Sequence, residues 1–136
     1  MNDTRSTTHA TATVTVTRSE ATPYDEDPNP ALLEIALTET FTGDIEAESE
    51  VRALQTRRAD GSASMVSMQR VRGTLGGRRG SFVLQGSETI QSGRIKATWF
   101  VVPDSGSGDL CGLHGEGGFE GEFGKSSQAT LDYGFT

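Results

Sequence analysis

The chain has 136 residues, about the length of one domain and enough to close a single core. Only 33% of it is hydrophobic, and its seventeen glycines and abundant threonines favour strands and tight turns over long helices. A net charge of −7 repels phosphate backbones and argues against nucleic acid as a partner.

The acidity is uneven: residues 1–60 hold twelve of the nineteen acids but five of the twelve bases. Arg70, Arg72, Arg78 and Arg79 form a local basic cluster, read here as solvated strand ends around a turn. Cys111 is the only cysteine, so no internal disulfide forms. No apolar run reaches membrane-spanning length, and the first residues lack the apolar centre of a signal peptide. The expectation is a cytoplasmic protein with no membrane partner.

Met1 to Thr8 is polar and expected to be a disordered tail, followed by one β-barrel domain over 9–136. From His9 to Arg18, Ala10, Ala12, Val14 and Val16 alternate with threonines, which predicts a strand. Ser19 to Pro30 contains three prolines among acidic residues and predicts a loop or a short helical turn. Leu32 to Phe41 alternates again, with Leu33, Ile35, Leu37 and Phe41 on one face. Helix competes over Pro30 to Thr38, because Leu, Glu and Ala favour it, but the alternation favours strand.

Ile45 to Thr56 continues in period two. Glu46, Glu48, Glu50 and Arg52 point to solvent, while small Ala47, Ser49 and Ala53 leave room on the opposite side. Asp60-Gly61 marks a hairpin. Strands are expected over Ala63–Arg72, Ser81–Gln85, Ile95–Val102 and Gln128–Phe135, with Gly73–Gly80 as a reversal. Leu110 to Phe119 reads as glycine-rich strand or irregular structure. About eight strands at spacings of roughly ten residues predict an all-β fold: a single antiparallel eight-stranded barrel, wide enough for one small ligand.

Two segments carry a resemblance. GTLGGRRGSFVLQ runs from Gly73 to Gln85, and WFVVPDSGSGDLCGLHGEGGFEG from Trp99 to Gly121, followed by LDYGF from Leu131 to Phe135. Their order and spacing resemble a bacterial domain family of unknown function with an allene oxide cyclase-like β-barrel. The resemblance extends from about Leu33 to the C-terminus. It implies a barrel with a central cavity and fold relatives that include cofactor-free cyclases. It assigns no catalytic residue, because the cyclase carboxylate matches no single position here.

Several chemistries fail on spacing. Cys111, His114 and Glu116 offer three metal ligands where a structural zinc site takes four, so no metal is expected. Gly124-Lys125-Ser126 mimics the end of a P-loop, but Phe119 stands where that motif needs its first glycine. Ser105 and Ser107 lack a nucleophile elbow. No cofactor is therefore expected. One constellation remains. Glu39 shares the phase of Leu33, Ile35, Leu37 and Phe41, and a carboxylate on an apolar face has a raised pKa or a partner. It is the candidate catalytic residue, as general base or as a stabiliser of positive charge. The competing reading ends or bulges the strand near Thr40 and lets Glu39 reach water.

Gln69 and Gln85 are candidate ligand contacts if Met65 and Val83 set the inward phase; otherwise both amides are solvated. Trp99 and Tyr133, on apolar faces, are candidates for the cavity mouth against a plain core role. The sequence thus points to a barrel that binds a small apolar molecule, as a cofactor-independent isomerase or cyclase. A non-catalytic carrier or sensor, or a structural module that assembles as a homo-oligomer, are the alternatives.

Overall fold

The computed structural model describes residues 7–27 and 29–136, so most of the expected tail, residues 1–6, lies outside it. Eight long strands are β1 (Thr8–Asp25), β2 (Ala31–Gly43), β3 (Ile45–Arg57), β4 (Ala63–Leu75), β5 (Arg78–Gln91), β6 (Arg94–Val101), β8 (Leu113–Glu122) and β9 (Ser127–Phe135). A two-residue strand, β7 (Ser107–Gly108), adds to β5. Each long strand pairs antiparallel with its neighbours in chain order, and β9 returns to β1. The result is a closed eight-stranded meander barrel, as the period-two pattern predicts. No helix among the described residues is long and apolar enough to cross a membrane.

The turns follow from local chemistry. β4 and β5 are joined by Gly76-Gly77 alone, both at positive φ, the two-residue connection whose twist suits antiparallel strands. Outside, β3 and β4 set Glu48 opposite Arg72 and Glu50 opposite Arg70, so the arginine cluster is in part a cross-strand ladder.

Two expectations need correction. Ser19–Asp25 is strand, not loop. The β1–β2 register slips between Val16 and Arg18, leaving Thr17 as a bulge. Beyond it Ser19 and Ala21, rather than the even-numbered residues, oppose Leu37 and Ile35. The inward phase flips there, and the alternation in the sequence breaks although the strand continues. β5 also runs six residues past Gln85, to Gln91. Of the two alternatives for the glycine-rich segment the structure has strand, Leu113–Glu122, with Gly117 and Gly118 so close to neighbouring backbones that a Cβ would collide.

The interior is filled at one end only. Phe41, Ile45, Leu75, Phe82, Leu84 and Leu131 are fully buried in one large cluster, joined by Leu110 from the β7–β8 connection and Leu113 at the start of β8. A second, small cluster of Leu33, Ile35 and Ala53 sits on the opposite half, mainly along β2 and β3. Burying each large apolar side chain stabilises the fold by about 1.5–3 kcal/mol. The plugged end therefore supplies most of the hydrophobic stabilisation, and the other end is free to be hollow.

Candidate functional site

The hollow end is a cavity of about 680 Å³. Its walls are largely apolar, with Val14, Ile35, Leu37, Val51, Ile95 and Phe119 among them. Its entrance lies where β1 parts from β9. Their pairing stops at Val14–Ser127, so β1 from Thr15 onward is bonded on its β2 side only. The β8–β9 turn, Phe123 to Ser126, forms the other lip, and Thr15 Oγ1 meets Ser126 Oγ at 3.1 Å at the foot of the slit. Val16 and Glu20 on β1, Arg57 on β3 and Lys125 on the turn line the rim.

Against these apolar walls stands a polar group that four strands deliver by plain alternation. β2 supplies Glu39, β3 Ser49 and Gln55, β4 Ser67 and Gln69, and β5 Glu88; all are buried. Ser49 Oγ donates to Gln69 Oε1 at 2.7 Å, and Ser67 Oγ donates to Glu88 Oε2 at 2.6 Å. Gln55 accepts at Oε1 from Arg57 Nε at 3.0 Å, which draws the guanidinium toward the rim. Gly86 makes the space for this arrangement. A Cβ there would lie 2.6 Å from Glu88 Oε2 and 2.9 Å from Ser67 Oγ.

Both carboxyl groups are electrostatically out of the ordinary. Glu39 and Glu88 are each 6% exposed, and Oε1 of each is buried without a hydrogen-bond partner among the described residues. Burial, and then repulsion from Glu88, raise the pKa of Glu39 from 4.5 to about 7. Burial raises Glu88 also, offset in part by the bond from Ser67. Near neutral pH the pair is thus poised to hold a proton: one member can accept it while the other donates or stays ionised.

The predicted site residues divide. Glu39 and Gln69 line the cavity, and the strand neither ends nor bulges on β2 at Glu39. Gln85 does not line it; its amide is exposed on the outer face of the barrel. Phe82 and Leu84 set the inward phase of β5, and Val83 faces out beneath the loop after β6, its amide N–H donating to Ser105 Oγ at 3.0 Å. Trp99 belongs to the core: its ring packs 5.4 Å from Phe119 and 6.2 Å from Phe41, and Nε1 donates to the Thr130 carbonyl at 3.2 Å. Tyr133 lies in the plugged end, edge-on to Phe135, and does not line the cavity. Cys111 is exposed, and the described residues contain no cluster of three or more metal-ligating side chains.

Glu88, Ser67 and Gln55 are the lining residues that the sequence reading passed over. The signal for Glu88 was present: Phe82, Leu84, Gly86, Glu88 and Ile90 share one phase. Low strand propensity at Gly86-Ser87-Glu88 concealed it.

Fold and site together define a closed antiparallel β-barrel, plugged at one end and holding a carboxyl pair in an otherwise mostly apolar hollow at the other. Residues 10–133 match the family described as a protein of unknown function, DUF3224, and the chain belongs to that family. A crystal structure of a DUF3224 protein from Shewanella oneidensis MR-1 is similar, with a TM-score of 0.77 and 31% identity over 96% of this chain and 98% of that one. No curated protein matches the chain.

Proposed function

We propose that the barrel binds a small, largely apolar molecule in its hollow end and acts on it as an isomerase or cyclase. The supporting observation is the carboxyl pair itself. A carrier of a neutral apolar molecule needs only the cavity, and burying two carboxyls without full hydrogen bonding costs stability that such a carrier has no use for. The allene oxide cyclase-like resemblance points the same way.

In this reading the ionised Glu39 removes a proton from the bound molecule and becomes a carboxylic acid. It then returns the proton at a second carbon, so the atoms of the molecule are conserved and only a double bond moves. In a cyclisation the carboxylate instead stabilises positive charge as it develops. The apolar walls exclude water and hold one folded shape, and a positioned acid or base contributes about 10²–10⁴-fold.

Binding of the neutral fluorophore Nile red tests the cavity. Val16 lies on the rim and is partly exposed, so Val16→Trp narrows the entrance without disturbing the plugged end. The expected result is saturable binding by the wild type, weakened at least about tenfold in Val16→Trp. Native mass spectrometry of the purified protein, for a retained small molecule, supplies the candidate substrate. Absence of Nile red binding overturns the cavity reading. Undiminished turnover of a true substrate by Glu39→Gln overturns the catalytic one.

A further inference from the structure

The two unpartnered carboxyl oxygens have a consequence for what the cavity accepts. When ionised, Glu39 and Glu88 can only accept hydrogen bonds, and each is more than nine-tenths buried on the cavity wall with Oε1 unpartnered among the described residues. The charged and titratable groups that line the same cavity are few. β1 contributes Glu20, β2 Glu39, β3 Arg57, β5 Glu88, and the β8–β9 turn Lys125. β4 contributes neutral Met65, Ser67 and Gln69, β6 contributes Ile95, and β8 contributes Phe119.

Both cations are at the rim and already engaged. Arg57 Nε bonds Gln55, and Lys125 Nζ pairs with Glu122 at 3.2 Å while remaining largely exposed. The serine hydroxyls inside are also spent on neighbours: Ser67 is committed to Glu88 Oε2, and Ser49 to Gln69 Oε1. Among the described residues the hollow end therefore presents two free carboxyl oxygens, the neutral amide of Gln69, no interior cation and a long apolar wall.

Resting on the reading that this cavity binds a small molecule, we infer that its ligand is an organic amine: an apolar body carrying one protonated nitrogen, which Glu39 and Glu88 hold at their free oxygens. An ammonium group offers three donors and the compensating charge, and it fits the pair better than an alcohol does. An anion of the same size meets two like charges and is rejected. Because the carboxyls compensate the ammonium charge only when ionised, affinity for the amine rises with pH across the range in which the pair loses its proton.

Displacement of Nile red by three eight-carbon probes, octylamine, octanol and octanoate, tests this at pH 8 and pH 5. Octylamine is expected to displace the dye at least about tenfold more tightly than the other two at pH 8, with the advantage shrinking at pH 5. Glu39→Gln and Glu88→Gln are each expected to reduce the ratio of octylamine affinity to octanol affinity. Either variant suffices should the other fail to fold. Equal binding of octanol and octylamine by the wild type overturns the amine inference and leaves the cavity reading standing. A preference that survives both substitutions also overturns it, since the amine then sits at the rim. Failure of Nile red itself to bind removes the cavity reading on which both depend.

Discussion

Replacing Glu39 by Gln removes an ionisable group and keeps its shape, so the effect on stability depends on pH in a defined way. In the unfolded chain the carboxyl ionises near 4.5; in the barrel, burial and Glu88 move this to about 7. The fold therefore holds the proton more tightly than the unfolded chain does. Below pH 4.5 both states are protonated and the group costs nothing. Between 4.5 and 7 the unfolded chain releases its proton first, and wild-type stability falls as pH rises. At 1.36 kcal/mol per pH unit, the accumulated cost above pH 7 is about 3 kcal/mol. Glu39→Gln lacks that cost. Its stability relative to wild type should therefore climb by about 3 kcal/mol between pH 4.5 and pH 8, whatever constant offset the new amide introduces. Urea unfolding followed by fluorescence of Trp99, the only tryptophan and a buried one, reads this directly. A difference between variant and wild type that stays the same at both pH values would show that Glu39 ionises normally, and the poised carboxyl pair would have to be abandoned.

Two further outcomes separate the causes of that displacement. Glu88→Gln removes the smaller cause and leaves the larger, burial, so the pKa of Glu39 should drop from about 7 yet remain above 4.5, as read by carbon NMR of the side-chain carboxyl; no movement would mean the two carboxyls do not sense each other. Gly86→Ala places a methyl against Ser67 Oγ and Glu88 Oε2 and should break their bond, raising the Glu88 pKa further and destabilising the barrel by about 1–3 kcal/mol; an unchanged titration of Glu88 would show that the bond survives.

The sequence shows the barrel wherever alternation is unbroken. The β2 and β3 faces are legible residue by residue, including Glu39, because an acid that recurs in step with Leu33, Ile35, Leu37 and Phe41 has nowhere to point but inward. The reading loses the chain where a backbone event shifts the phase without ending the strand. Thr17 does this on β1, and three nearby prolines then make a continuing strand look like a loop. Gln85 points inward only if Val83 is core, whereas Phe82 and Leu84 are the buried pair and Gln85 has the solvated amide of the other reading. The cavity itself depends on where each strand starts relative to its neighbours around the barrel. That stagger brings polar side chains from β2, β3, β4 and β5 into one hollow, and no single segment encodes it.

The parting of β1 from β9 leaves another mark on the molecule. From Thr15 to Asp25 one side of β1 has no neighbouring strand among the described residues, so its amides and carbonyls could recruit a strand from another molecule. The segment carries the usual deterrents: Arg18, Glu20 and Asp25 bring charge, Pro23 removes a donor, and the bulge at Thr17 twists the edge. The same acidic, proline-bearing stretch that obscures the strand in the sequence thus guards the barrel against polymerising through its own doorway.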